Sequence, residues 1–275
     1  MTLLERINTT PPPEVLYHYT TQTGLLGILQ DNCLWATTAD YLNDASEYSY
    51  GIGLIEAALK ERSRASTRDE ERINLDGIAR GLSKFMTICV VSLTMEGDLL
   101  SQWRAYAGGS GGFALGMRAE HLRDVAHQHG FYLVECLYTP ADQQRAISEL
   151  IDEFLKRMGA SEEWNLADQG GCVATATRLA MMLKDESFAE EREWRLISRP
   201  KMIREMDFRR GTSTLVPFFK LPLGPDRNAY LDSVRTGPTP HPELATASVH
   251  MLLQKLGLSD PTENVKRTRI PYRNW

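Results

Sequence analysis

Two short runs in this chain carry the side chains best suited to chemistry. Near the start, Tyr17-His18-Tyr19-Thr20 places one imidazole among hydroxyl-bearing residues. Far along the chain, Glu190-Glu191-Arg192-Glu193-Trp194-Arg195 places carboxylates beside guanidiniums. If both runs are strands, alternation fixes which side chains act together. His18 then faces away from Tyr17 and Tyr19, as a pocket wall or as a core histidine with one hydrogen-bond partner. Glu191 and Glu193 share a face, Trp194 points to the core and Arg195 returns to the carboxylate face. Two carboxylates on one face can hold sugar hydroxyls and stabilise a cationic transition state. The same pattern also fits a solvated strand edge with an arginine counter-charge, and the charged Lys184-Asp185-Glu186 just before it favours that plainer reading.

Other candidates are weaker. Ser92 and Thr94 end an apolar strand and face one side. Trp103 and Tyr106 are i,i+3 neighbours on a helix, which suits core packing, while Arg104 points elsewhere and could bind a phosphate. Asn43, Asp44 and Glu47 are explained by helix capping. The run Gly108-Gly109-Ser110-Gly111-Gly112 lies between a helix and a strand and is followed by no lysine, so it is no phosphate-binding loop. It reads as a helix stop, or as a close backbone approach to a ligand. His127-Gln128-His129 lacks a nearby third ligand for a metal.

The elements that must position these groups follow from patterning. Pro11-Pro12-Pro13 closes an extended leader, residues 1–13, and residues 14–275 read as one domain. Strands are expected at Val15 to Thr20, Leu34 to Thr37, Met86 to Leu93, Phe113 to Met117, Phe131 to Tyr138, Glu193 to Ile197, Leu215 to Phe219 and Val265 to Ile270. Helices are expected from about Gly24 to Gln30, capped by Thr20 or Thr23, and from Asp44 towards Arg64. Others are Glu70 to Leu82, Leu99 to Ala107, His121 to His129, Ala141 to Met158, Val173 to Lys184 and His241 to Leu256. The pair between 141 and 185 reads as a helical insertion. Strands and helices mix without strict alternation, which favours an α+β fold over a doubly wound sheet.

Bulk properties exclude some classes. The chain has 275 residues, enough for a sizeable core, and its 42% hydrophobic and 24% charged residues are ordinary for a globular protein. A formal charge of −5 gives no global basic field for nucleic acid. A local one is suggested by Arg192, Arg195, Arg199, Lys201, Arg204, Arg209 and Arg210. No run is long and apolar enough for a membrane span or a signal peptide. Cys33, Cys89, Cys136 and Cys172 form no C-x-x-C pair, so they are expected to be small buried hydrophobes in a reduced, cytoplasmic protein without zinc.

The motifs taken in order resemble an uncharacterised bacterial family of unknown function. They are Y-H-Y-T, G-L-L-G-I-L, L-W-A-T, Y-L-N-D-A-S-E, S-L-T, L-L-S-Q-W-R-A-Y-A, G-G-F-A-L-G, E-x-E-W-R and the closing I-P-Y-R from Ile270 to Arg273. That family in turn is similar to the ADP-ribosyltransferase superfamily. The resemblance implies a split two-sheet α+β core that grips NAD as substrate in the cleft between the sheets. It implies that His18 hydrogen-bonds the adenosine ribose, that Tyr19 and Thr20 join the NAD site and that Ser92 supports it. Glu193 would act on the nicotinamide ribose and Glu191 on the acceptor side. Trp35 or Trp103 would stack on nicotinamide, and Arg104 would join the NAD site. The reaction so implied is cleavage of the nicotinamide–ribose bond and transfer of ADP-ribose to a protein or nucleic-acid acceptor, in a toxin or an anti-phage defence effector. Transfer to water, or a non-catalytic role as a nucleotide-binding sensor or interaction module, are the alternatives. No membrane or metal is implied.

Overall fold

The computed structural model describes residues 7, 9–42, 45–82, 86–106, 111–161, 163–211, 213–258 and 261–271. Among them, ten strands form one mixed sheet. They are β1 (Val15–Thr20), β2 (Cys33–Thr38), β3 (Cys89–Thr94), β4 (Phe113–Arg118) and β5 (Phe131–Glu135), then β6 (Glu193–Ser198), β7 (Asp207–Arg210), β8 (Leu215–Pro222), β9 (Leu231–Thr236) and β10 (Val265–Arg267). The spatial order is β10-β9-β4-β1-β3-β2-β8-β7, with β6 on β3 and β5 on β6. An α+β architecture is what the mixed element order implied.

One irregularity of the sheet makes the site. Strand β1 pairs with β4 along all six residues, but with β3 only at Tyr17 opposite Thr94. Strand β2 meets the other end of β3, at Thr37–Val90 and Thr38–Cys89. Two strands therefore share one edge of β3, each holding one end, and diverge between. The opposite edge of β3 is paired with β6 through five residues. The middle of β3 thus faces an opening in the sheet.

The connection from β1 to β2 is helix α1 (Gln22–Asp31). Its cap is Thr21, whose hydroxyl accepts from the Gly24 amide at 3.3 Å, rather than Thr20 or Thr23. A β-carbon on Gly27 would come within 2.6 Å of the Trp35 ring, so only glycine lets α1 pack this closely on β2. Asn32, left-handed at φ 49°, ends the helix, a role asparagine tolerates.

Neighbouring strand residues divide between two cores, as alternation requires. Leu93, Trp194 and Leu196 pack with Leu25 and Leu29 of α1, with Leu122 of α5 (Ala119–His129) and with Leu253 of α9 (Pro242–Lys255). Val90, Val134 and Ile197 face the other way, onto α2 (Ala45–Ala65), α3 (Asp69–Leu82), α6 (Pro140–Ala160) and α7 (Leu166–Ala180). Helices α6 and α7 thus share a core with the sheet and with α2 and α3. Short helices α4 (Leu100–Tyr106), α8 (Arg227–Tyr230) and α10 (Pro261–Asn264) complete the described elements. The capping box expected before α2 needs Asp44, which lies outside the described residues, as do Asn43, the glycine run before Gly111, and Tyr272 and Arg273 of the closing motif.

Two strands escaped the sequence pattern. β7 is four exposed residues, and β9 follows a turn-rich segment without a strong apolar run. All four cysteines are buried free thiols. No helix among the described residues is long and apolar enough to cross a membrane.

Candidate functional site

The opening beside β3 widens into a cleft of about 680 Å³. Its lining includes Tyr17, His18, Tyr19 and Thr20 from β1, Trp35 and Thr37 from β2, and Val90 to Thr94 from β3. Glu191, Glu193, Arg195 and Lys184 line it too, as do Arg209 and Arg210.

His18 sits at the fork. Its Nδ1 lies 2.9 Å from the Ser92 carbonyl, an oxygen the diverging β1 backbone leaves unpaired. A carbonyl only accepts, so Nδ1 carries the proton and Nε2 is left as an acceptor. Burial lowers the pKa of the imidazole; the bond to Ser92 works the other way, and the nearby charge of Arg209 lowers it further. The ring is thus a neutral acceptor near pH 7. The strict alternation expected of β1 does not decide access here, because the cleft wraps the splayed strand and Tyr17, His18 and Tyr19 all border it. Tyr19 is a wall rather than a ligand-binding phenol: its hydroxyl donates to the Glu96 carbonyl and accepts from the Leu99 amide, both at 2.9 Å.

Glu193 opens β6 and is 4% exposed. Arg195 clamps it with two bonds, Nε to Oε1 at 2.7 Å and Nη2 to Oε2 at 2.9 Å. Lys184 Nζ donates to Oε2 at 2.7 Å and also to Glu191. Burial alone would raise the Glu193 pKa, but Arg195 and then Lys184 outweigh it and hold the carboxyl at about 2. Three of the four or so acceptor positions on this carboxylate are occupied, leaving one on Oε1. Arg195 is fixed in turn by the Met181 carbonyl at 2.8 Å, and the Glu193 amide donates to the Tyr138 hydroxyl at 2.8 Å.

Glu191 is not on the strand. It ends a 3₁₀ turn (Glu186–Glu191), and Arg192, left-handed at φ 44°, separates it from β6. It reaches Glu193's surroundings through Lys184, not through strand alternation. Trp194 does point to the core, at 2% exposure.

Two expected ligand-binding residues stand elsewhere. Trp103 is 1% exposed, edge-on to Tyr19 at 4.6 Å, and donates to Asp98 at 2.8 Å, so it packs behind the wall. Arg104 is exposed and does not border the cleft, because on α4 the cleft side is taken by Gln102, Ala105 and Tyr106. Trp35 therefore remains of the two tryptophans. The basic run also disperses. Arg192 pairs with Glu96, Arg195 is buried, and Arg199 and Lys201 lie over the rings of Tyr132 and Phe219.

Sequence reasoning missed Lys184 and Arg209 as site residues. Lys184 had a signal: it ends the apolar run Met181-Met182-Leu183, where a lone charge is buried only with partners.

Residues 102–196 match the family described as "Protein of unknown function (DUF2971)". The match covers about a third of the chain. It takes in Lys184, Glu191, Glu193 and Arg195 and leaves His18, Trp35 and Arg209 outside. No curated protein and no solved structure matches the chain.

Proposed function

We propose that the cleft binds NAD and that the protein breaks the nicotinamide–ribose bond, passing ADP-ribose to a protein or nucleic-acid acceptor. The observation that carries this reading is the fork between β1 and β3. It sets a neutral histidine acceptor and a glutamate ionised at neutral pH around one opening of dinucleotide size. The sequence resemblance implied NAD held in a cleft between two sheets; here the opening lies within one ten-stranded sheet, where β1 meets β3 at a single pair.

In this reading His18 Nε2 accepts from a ribose hydroxyl, and Trp35 offers an aromatic face. Departure of nicotinamide leaves positive charge on the sugar, which a fixed carboxylate stabilises more than it stabilises the ground state. Glu193 accepts from the ribose at its remaining Oε1 position. Glu191, with a side chain 20% exposed, is the more open carboxylate and faces the acceptor. If the acceptor is water, the same geometry makes a glycohydrolase. The anti-phage or toxin role belongs to this proposal.

A second reading rests on the clamp itself. Arg195 and Lys184 balance the two glutamates, so less negative charge is available to an oxocarbenium ion. The cleft would then bind nucleotide without turnover.

The deciding experiment is nicotinamide release from NAD by purified protein, with and without cell lysate. Glu193→Gln should slow release by about 10²–10³-fold. It also leaves Arg195 and Lys184 short of an anion, so a thermal melt must accompany it. Glu191→Gln leaves Glu193 and its Arg195 clamp in place and should lower transfer to the acceptor more than hydrolysis. Absence of turnover with His18-dependent NAD binding selects the second reading.

A further inference from the structure

The charges lining the cleft do not balance. Glu191 and Glu193 are matched by Lys184 and Arg195, and His18 is neutral, which leaves Arg209 and Arg210 in excess. This local surplus occurs in a chain of formal charge −5. Among the described residues, no carboxylate forms an ion pair with Arg209 or Arg210.

Arg209 is also placed. Strand pairing puts Thr37, Phe218 and Asp207 in one row across β2, β8 and β7, and Arg209 follows Asp207 on the same face. Its Nη2 donates to Thr37 Oγ1 at 3.1 Å. Trp35 shares that face of β2 and touches the Phe218 ring, with centroids 5.2 Å apart. Arg209 is also close enough to His18 for its charge to act on the imidazole. A guanidinium held by one neutral hydroxyl keeps most of its donors for a ligand, and its fork fits phosphate oxygens.

We infer that Arg209 is the phosphate-recognising element of the cleft, selecting ligands that carry a phosphate or diphosphate beside the ribose at His18. The placement beside a ribose rests on the NAD reading; the anion site does not. The phosphate has two sources, the diphosphate bridge of a dinucleotide or an extra phosphate on its ribose.

The test is calorimetric titration of wild type, Arg209→Gln and Arg209→Lys with adenosine, ADP-ribose, NAD, NADP and inorganic pyrophosphate. A lost charged hydrogen bond predicts a loss of roughly 10–100-fold for phosphate-bearing ligands in Arg209→Gln, with adenosine unchanged. Arg209→Lys should recover part of the loss, since a point charge replaces a fork. Tighter binding of NADP than NAD, erased in Arg209→Gln, assigns the extra ribose phosphate; equal binding of both assigns the diphosphate. Pyrophosphate binding that depends on Arg209, without nucleotide binding, keeps this inference and removes the NAD reading. Nucleotide binding that Arg209→Gln leaves intact, or weakens equally for adenosine, overturns the inference and leaves the NAD reading standing. Equal melting temperatures of the three proteins exclude a folding artefact.

Discussion

At the β6 end of the cleft, two carboxylates and two cations are packed against one another, with Glu193, Lys184 and Arg195 almost wholly out of water. At the β1–β7 end, an imidazole acceptor and the Arg209 guanidinium face the opening, held by a carbonyl and a hydroxyl. The first end is electrostatically complete before any ligand arrives. The second is incomplete and gains its partners only from outside. Damage to the first should therefore cost stability as well as turnover, and damage to the second mainly binding.

The largest effect tests the complete end. Arg195→Met removes the clamp and leaves the buried Glu193 with Lys184 as its remaining cation, so urea unfolding should show a loss of about 3–5 kcal/mol. A loss below about 1 kcal/mol would mean that water already reaches Glu193, and the contrast between the ends would dissolve. Trp194→Ala, on the opposite face of the same strand, should lose a similar amount, about 3–5 kcal/mol, by cavity formation. Its loss should not vary with pH, whereas that of Arg195→Met should shrink in acid.

Next in size is the pH dependence. The Glu193 carboxyl is held at about 2, below its ordinary value of 4.5. A depressed folded-state pKa gives stability that is fully present above the unfolded value and is lost as pH falls through the folded one. About 3 kcal/mol should therefore disappear between roughly pH 4.5 and pH 2. Unfolding midpoints across that window should slope in wild type and flatten in Glu193→Gln. Parallel slopes would show that other carboxylates carry the acid sensitivity.

The smallest effect tests the incomplete end. His18→Ala removes one hydrogen bond to the Ser92 carbonyl, worth about 1 kcal/mol of stability. It should weaken NAD binding about tenfold, as loss of one well-placed acceptor does. A stability loss several times larger, with unchanged binding, would make His18 a structural residue of the fork.

Legibility in the sequence followed the same division. Strand β1 and the apolar face of β6 were readable because their side-chain periodicity is local. The burial of Trp194 and the return of Arg195 to Glu193 followed from it. What periodicity could not show was where strands part. The fork depends on β1 and β2 competing for one edge of β3, a long-range event with no local signature. Trp103 and Arg104 were misplaced for a related reason: helix spacing groups faces but does not say which one meets a cavity. Lys184 and Arg209 come into the cleft from a loop and from an edge strand whose sequence has little pattern, so only the folded chain identifies them.

Asp98 has a consequence for the order in which the molecule is made. Its carboxylate receives the Trp103 indole, the Thr268 hydroxyl and the Arg269 amide, tying the cleft-bordering helix α4 to the segment that follows β10. During synthesis, β1, β3 and α4 leave the ribosome long before residues 265–270 do. The wall carrying Gln102 and Tyr106 therefore gains this fastening only late in translation. A nascent chain that has not yet presented Thr268 and Arg269 lacks that fastening.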